Sequence, residues 1–260
     1  MLLAIDIGNT NVKLVLFNGG AQHAMWRLAT DARLMPDEYE LAVVSLLALG
    51  KVAPADIKAV VLCSVVPALT SVFSEVCEQA FHVSPLIVGA GVRTGIRVLT
   101  DDPRSVGADR IVDAAAAYHL YGGPVIVVDC GTATVLNGIT ADAEFIGGAI
   151  APGLRSSADA LLGATSQLRG VELTAPANAI GRNLSQSMQS GLVYSHVDMI
   201  EGMVRRFKRE LGEQAKVIAT GGFAGLVASH TKVFDEVNSE LTLQGLRWIY
   251  ELNQHGEGSP

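Results

Sequence analysis

Residues 2–15 read LLAIDIGNTNVKLV, and residues 125–136 read VIVVDCGTATVL. In both stretches an apolar run ends in an aspartate, a glycine follows two positions later, and a short polar turn leads into a second apolar run. A buried strand that delivers a carboxylate into a glycine-containing turn is suited to hold phosphate and its metal ion. Because the device occurs twice, 123 residues apart from Asp6 to Asp129, the sequence predicts two similar lobes facing each other across a nucleotide.

The length and composition fit two domains built on buried sheets. The 260 residues are 49% hydrophobic and 5% aromatic, which favours packing by Val, Ile, Leu and Ala against covered sheets. The spacing of the repeat divides the chain into an N-terminal lobe at 1–121 and a C-terminal lobe at 122–260. Three strands followed by alternating helices and strands predict an α/β layer fold. The net charge of −7 argues against a nucleic-acid partner.

The cysteines and the hydropathy pattern bear on the cellular compartment. Cys63, Cys77 and Cys130 have neither metal-site spacing nor an even number for disulfides, which is typical of a reducing cytosol. Cys130 is expected to be a small strand residue rather than a catalytic thiol. No apolar run approaches the roughly 20 residues that span a bilayer. We therefore expect a soluble, cytoplasmic protein with no membrane partner.

Asp6 and Asp129 are the first candidate functional residues. A carboxylate at the end of an apolar strand is costly to bury unless a cation or a hydrogen-bond donor meets it. One such aspartate often only caps its own turn, but two at matching positions favour phosphate binding. Lys13 can reach the same phosphates, the alternative being an exposed strand lysine. The groups expected to surround phosphate oxygens are the amides of Gly8, Asn9 and Gly131 and the hydroxyls of Thr10, Thr132 and Thr134.

A third glycine-containing turn lies near the C-terminus. Residues 220–225 read TGGFAG and follow a short apolar strand. Because Gly221 and Gly222 have no side chains, a flat adenine or a ribose can lie against their backbone. Glycine pairs are also common between strands and helices, so the motif is informative only beside the two phosphate turns. Together the three turns predict an ATP site.

Residues 107–110 read GADR, in the early turns of a helix predicted from about 101 to 121. Asp109 is suited to accept a proton from a substrate hydroxyl, and Arg110 to hold an anionic substrate group. The alternative is a solvated acid–base pair on a helix surface. Apolar neighbours on both sides favour the functional interpretation. Asp113, one helical turn later, is expected to be an acid on the exposed helix face.

The sequence resembles the type III pantothenate kinases, a family of the actin/hexokinase/Hsp70-like superfamily. The combination of the Asp-x-Gly-Asn-Thr turn with Gly-Ala-Asp-Arg is specific, whereas either half alone would indicate only the superfamily. The matching motifs extend over almost the whole chain, at residues 6–13, 102–103, 107–110, 129–134, 147–148, 152–154, 220–222, 241–243 and 245–246.

The resemblance implies a fold and a reaction. The implied fold is α/β, with two similar ribonuclease H-like lobes, each a mixed β-sheet flanked by helices. The implied reaction transfers the γ-phosphoryl group of ATP to the primary hydroxyl of pantothenate, which gives 4'-phosphopantothenate in the first step of coenzyme A synthesis. Such a phosphoryl transfer depends on alignment and charge neutralisation more than on covalent chemistry.

The resemblance also implies roles for individual residues. The implied ATP-binding residues are Asp6, Ile7, Gly8, Asn9, Thr10, Asn11, Val12, Lys13, Thr132, Gly221 and Gly222. The implied pantothenate-binding residues are Gly107, Ala108, Asp109 and Arg110, with Asp109 as the proton acceptor and Arg110 as the carboxylate partner. Asp129 is implied to hold a monovalent cation, K⁺ or NH₄⁺, and Asp6 is expected to hold Mg²⁺ indirectly.

The family is dimeric, with its pantothenate pocket near the subunit interface, and a long helix predicted at about 180–211 is the expected dimer element. The sequence departs from the family pattern in this pocket. Leu184 stands where a threonine that helps hold pantothenate is usual, and Thr100 stands where an aromatic residue is usual. Loss of one hydrogen bond corresponds to about 0.5–1.5 kcal/mol, so weaker pantothenate binding is expected rather than loss of the reaction.

Two other functions remain compatible with these residues. The first is a transcriptional regulator resembling the Bvg accessory factor on the same scaffold, which the altered pocket favours and the intact Asp109 disfavours. The second is an actin-like or exopolyphosphatase-like nucleotide hydrolase that acts without an acceptor.

Overall fold

The computed structural model describes residues 1–164 and 170–254, which form two compact units. The first unit contains residues 1–95, 102–116 and 242–254, and the second contains residues 96–101, 117–164 and 170–241. The segments of the two units therefore interleave along the chain. In this respect they differ from the continuous lobes at 1–121 and 122–260 that the sequence suggests.

Strands and helices alternate along most of the chain. In chain order the strands are β1 (Leu2–Ile7), β2 (Asn11–Asn18), β3 (Ala21–Ala29), β4 (Ala59–Ser64), β5 (Leu86–Ile87), β6 (Arg97–Val98), β7 (Val125–Cys130), β8 (Ala133–Ile139), β9 (Glu144–Pro152), β10 (Lys216–Thr220) and β11 (Glu236–Val237). The helices are α1 (Pro36–Leu49), α2 (Pro67–Phe81), α3 (Ala108–Tyr121), α4 (Leu154–Gly163), α5 (Leu184–Leu211), α6 (Ala224–Ala228) and α7 (Leu241–Gln254).

The sheet of the first unit has the strand order β3-β2-β1-β4-β5. The central strand β1 is antiparallel to β2 and parallel to β4. Alternate side chains of β1, Leu3, Ile5 and Ile7, join a buried core with Tyr39 of α1 and Phe73 of α2. This apolar packing fixes the position of β1, and with it the aspartate near its end.

The sheet of the second unit repeats this topology. Its strand order is β9-β8-β7-β10-β11, with β6 added beside β9. The central strand β7 is antiparallel to β8 and parallel to β10, as β1 is to β2 and β4. Ile126 and Val128 of β7 are buried against Val197 and Ile200 of α5. The predicted α/β fold with a duplicated mixed sheet is thus confirmed.

Two helices begin later than the sequence suggests. The helix predicted from about 101 begins at Ala108, because Pro103–Ser105 form a 3-10 turn that the Asp102 carboxylate caps by accepting the Arg104 N–H at 3.2 Å. The helix predicted from about 180 begins at Leu184, after Asn183 accepts the Gln186 N–H at 2.9 Å. In the part of the chain that the structure describes, every helix is too short or too polar to cross a membrane.

Candidate active site

The first predicted phosphate turn connects β1 to β2. It is closed by the Gly8 N–H, which donates to the Asn11 carbonyl at 3.0 Å. Thr30, directly after β3, holds the turn from the side: its hydroxyl donates to the Gly8 carbonyl at 2.7 Å and its N–H donates to the Thr10 carbonyl at 3.1 Å. Asn9 and Thr10 remain exposed at the tip. The turn is therefore a fixed loop with polar groups open to a ligand.

Asp6 lies just before this turn, and its side chain is buried, with the residue 6% exposed. The Lys13 ammonium contacts Oδ2 at 3.1 Å, and the Cys63 thiol donates to Oδ1 at 3.4 Å. Both partners lie directly opposite Asp6 on the neighbouring strands, Lys13 on β2 and Cys63 on β4. Each carboxylate oxygen thus has a donor, which offsets the cost of burying the charge.

Asp109 lies in the first turn of α3, where its Oδ1 accepts the Arg110 N–H at 2.8 Å. Burial raises the pKa of Asp109; the hydrogen bond from Arg110 works against this shift, and the charge of Asp6 adds to it. A raised pKa makes the carboxylate a stronger base. A Cβ at Gly107 would lie only 2.5 Å from Asp109 Oδ1, so the glycine is what leaves room for this carboxylate.

Asp113 is buried, contrary to the expectation of an exposed helix-face acid, because its side of α3 turns inward. Burial raises the pKa of the Cys63 thiol well above its ordinary value, and the charges of Asp6, Asp109 and Asp113 add to the shift. The thiol therefore stays protonated and acts as a donor. Asp6, Asp109 and Asp113 thus all lie close enough to Cys63 for their charges to act on its thiol.

The second predicted phosphate turn connects β7 to β8. The Gly131 N–H donates to the Ala133 carbonyl at 3.0 Å. The Thr132 carbonyl accepts the Gly153 N–H at 3.2 Å and the Ser156 hydroxyl at 2.6 Å. Thr132 itself is exposed. As in the first turn, a segment further along the chain holds the backbone and leaves the tip open.

The structure brings Gly221, the first residue of the glycine pair at 221–222, to Asp129. Gly221 has φ +91°. A Cβ at this position would clash with Asp129 Oδ1 and would lie 2.6 Å from the Cys130 carbonyl carbon. The Phe223 N–H donates to the Cys130 carbonyl at 3.0 Å. At Gly131 a Cβ would lie 3.3 Å from the same Oδ1. Two glycines thus form a narrow cradle around one carboxylate.

Thr134, which the sequence suggested as a phosphate-binding hydroxyl, is fully buried. Its Oγ1 lies 3.0 Å from Nε2 of His196 on α5, which is also buried. Burial lowers the pKa of His196, so the imidazole is neutral at pH 7. The pair ties α5 to the strand that leaves the second turn.

Comparison with known proteins identifies the family. The family model for type III pantothenate kinase matches residues 2–206. A protein from Dehalococcoides mccartyi (strain BAV1), named type III pantothenate kinase, is 47% identical over 253 residues, which cover 97% of this chain and 96% of the relative. The chain belongs to the type III pantothenate kinase family. A second relative of that name, from Roseiflexus sp. (strain RS-1), is 46% identical and covered along its whole length.

Solved structures place this pantothenate kinase family member in the actin/hexokinase-like fold. A protein from Campylobacter jejuni, named as a Baf family transcriptional activator, has a TM-score of 0.62 at 16% identity and covers 97% of this chain and 99% of its own. A protein from Sinorhizobium meliloti, named as a 2-dehydro-3-deoxygalactonokinase, has a TM-score of 0.59 at 14% identity and covers 97% of this chain and 96% of its own. At these identities the similarity shows the fold alone, so the Baf name does not favour a regulator.

The structure groups the predicted site residues unit by unit. In the first unit, Lys13 contacts Asp6, and the charge of Asp6 acts on Asp109. In the second unit, Gly221 and Gly131 surround Asp129. Sequence reasoning missed Thr30 and Cys63 as parts of the first site, because only the pairing of the strands brings them there. Among residues 1–164 and 170–254, no group of three or more His, Cys, Asp and Glu residues forms a metal-ligand cluster.

We predict that Gly221→Ala strongly lowers thermal stability, whereas Gly222→Ala has little effect. Gly221 has a positive φ and its Cβ would collide with Asp129 and with the backbone of Cys130, but a Cβ at Gly222 meets nothing within 4 Å. The expected loss for Gly221→Ala is more than about 1 kcal/mol. Differential scanning calorimetry of both variants measures the effect, and equal melting temperatures would contradict the cradle around Asp129.

Proposed function

We propose that this chain is an ATP-dependent pantothenate kinase, which forms 4'-phosphopantothenate in the first step of coenzyme A biosynthesis. The observation that carries the proposal is the 47% identity, over 97% of the chain, to a protein named type III pantothenate kinase. A coupled assay of ADP release at saturating K⁺ tests it. ADP release that requires pantothenate is the expected result, and release at the same rate without pantothenate would instead indicate a nucleotide hydrolase.

ATP is proposed to bind at the glycine-containing turns. In the first unit, the exposed tip of the turn at residues 8–10 and the ammonium of Lys13 are suited to meet phosphate oxygens. In the second unit, Thr132 is exposed at the tip of its turn and Gly222 has open space beside its α-carbon. The proposed ATP-binding residues remain Asp6, Ile7, Gly8, Asn9, Thr10, Asn11, Val12, Lys13, Thr132, Gly221 and Gly222.

Pantothenate is proposed to bind at Gly107, Ala108, Asp109 and Arg110. Asp109 would accept the proton of the primary hydroxyl while that oxygen attacks the γ-phosphorus, and its raised pKa suits this role. Arg110 is only partly exposed, and its planar guanidinium suits the carboxylate end of the substrate. The chain therefore aligns the acceptor and takes up its proton, as phosphoryl transfer requires.

Two cations are proposed for the reaction, Mg²⁺ and a monovalent ion. Both oxygens of Asp6 already accept donors from the protein, so this carboxylate fits an indirect role, in which it orients the water ligands of a Mg²⁺ ion. Asp129 fits a K⁺ or NH₄⁺ ion, because this residue is partly exposed and Gly221 and Gly131 place no side chain against its carboxylate. When bound, the cations neutralise phosphate charge.

We also propose a cytoplasmic homodimer that has neither a nucleic-acid nor a membrane partner. Helix α5 is the proposed dimer element. Its first residue, Leu184, is 55% exposed, and Ile180, four residues before it, is 86% exposed. Apolar side chains of this size at a helix end mark a protein contact when they lie in one patch. The replacement of the usual threonine by Leu184 makes this contact more apolar.

We expect Asp109→Asn to lower kcat by several orders of magnitude while folding and ATP binding are retained. The amide keeps the shape of the carboxylate but cannot accept the proton. Steady-state kinetics at pH 7.5 and calorimetric ATP binding measure the two effects. Asp37→Asn, a change of an exposed acid in the same unit, is the control; turnover of Asp109→Asn close to that of the control would refute the base assignment.

A separate prediction concerns the monovalent cation. Asp129→Ala is expected to remove activity together with its dependence on K⁺, because the cradle loses its carboxylate. Titration with KCl and NH₄Cl at constant ionic strength, compared with NaCl, measures the dependence. A variant with the K⁺ response of the wild type would show that Asp129 does not hold the cation.

The dimer proposal predicts that the apparent mass in sedimentation equilibrium is twice the 27.3 kDa mass of the chain. Leu184→Glu is expected to shift the equilibrium toward the monomer, because it places a charge in an apolar contact. Leu41→Glu, at a similarly exposed leucine of the first unit, is the control. Sedimentation equilibrium distinguishes the outcomes, and a wild type that remains monomeric at 100 μM would contradict the proposal.

A further inference from the structure

We propose that Cys63 is a positioning residue, whose thiol fixes the orientation of the Asp6 carboxylate. This inference rests on the proposed function, since it is through Asp6 that the effect would reach the ATP site. Cys63 does not touch substrate in this proposal. It acts only through the hydrogen bond from its Sγ to Asp6 Oδ1, at 3.4 Å.

The register of three strands places Asp6 between two donors. Lys13 on β2 and Cys63 on β4 both lie directly opposite Asp6 on β1. Directly opposite residues on neighbouring strands point to the same face of a sheet. Lys13 Nζ contacts Oδ2 at 3.1 Å while the thiol reaches Oδ1. The plane of the carboxylate is therefore fixed from both sides.

The two donors differ in their access to water. The Lys13 side chain is 32% exposed, so its ammonium is solvated as well as paired. Cys63 is fully buried, so water does not readily replace its thiol if the donor is removed. If the thiol is removed, Asp6 Oδ1 loses its hydrogen-bond donor, and the carboxylate is free to rotate toward Lys13. A lysine held more closely by Asp6 is less available to a phosphate.

Three substitutions at Cys63 distinguish the loss of the hydrogen-bond donor from the loss of side-chain volume. Cys63→Ser keeps a donor, Cys63→Ala removes both donor and volume, and Cys63→Val removes the donor while filling the space. Cys77→Ala is the matched control, because Cys77 is also fully buried in the first unit but belongs to the apolar core. If Cys63→Ala does not fold, Cys63→Val gives the donor-free result.

The expected result is a rise of about two- to tenfold in KM for Mg·ATP, the size of one lost hydrogen bond, in Cys63→Ala and Cys63→Val. Cys63→Ser is expected to restore the wild-type KM, and Cys77→Ala to leave it unchanged despite lower stability. The kcat should change less, because the nucleotide contact is made in the ground state as well as in the transition state. Calorimetric binding of ADP without acceptor should show the same ranking.

Two outcomes would overturn the inference. One is equal KM and equal ADP affinity in Cys63→Ser and Cys63→Val, and the other is an equal shift in Cys77→Ala. Failure of the proposed function looks different, because the wild type itself would then show no pantothenate-dependent ADP release. In that case the ADP-binding ranking still tests the role of Cys63.

Discussion

A carboxylate near the end of a largely buried strand needs compensation, and both sheets of this protein carry such a carboxylate on their central strand. In the first unit, the neighbouring strands supply the donors, so the register that pairs Lys13 and Cys63 with Asp6 sets the geometry of the site. In the second unit, Asp129 lies in a space that two glycines keep open. The same strand topology therefore gives its two carboxylates different surroundings, with donors from the neighbouring strands beside Asp6 and two glycines beside Asp129.

The repeated topology explains why the two turns look alike in sequence and differ in detail. Each turn follows the central strand of its sheet and leads into an antiparallel neighbour. Each is held by a later segment: Thr30 binds the backbone of the first, and Gly153 with Ser156 binds that of the second. The backbone of each turn is thus held by hydrogen bonds within the protein, and a pre-ordered backbone lowers the entropic cost of binding any ligand.

Local pattern was sufficient for much of the fold. Apolar runs that end in Asp and Gly predicted β1, β7 and the turns after them, because strand burial and turn formation both depend on residues that are adjacent in the sequence. The two-residue strands β6 and β11 carry no such pattern, since they exist only through pairing with β9 and β10. The start of α3 at Ala108 depends on a 3-10 turn capped by Asp102, which competes locally with the helix.

The sequence singled out candidate site residues where the local pattern is unusual, but it did not reveal contacts that depend on the fold. Asp6, Asp109 and Asp129 stood out because acids beside apolar or small residues are rare. The contribution of Cys63 could not be predicted, because it comes from a strand 57 positions away from Asp6. The burial of Asp113 was mispredicted because helical spacing alone does not say which face of α3 turns inward.

All three thiols of the chain are buried. Burial raises the pKa of Cys77 and of Cys130 to about 12 and that of Cys63 well above its ordinary value. Peroxide and electrophiles attack the thiolate rather than the thiol, and almost no thiolate is present at neutral pH. Burial therefore slows the oxidation of these thiols twice, because it shields the sulfur from reagents and keeps it protonated.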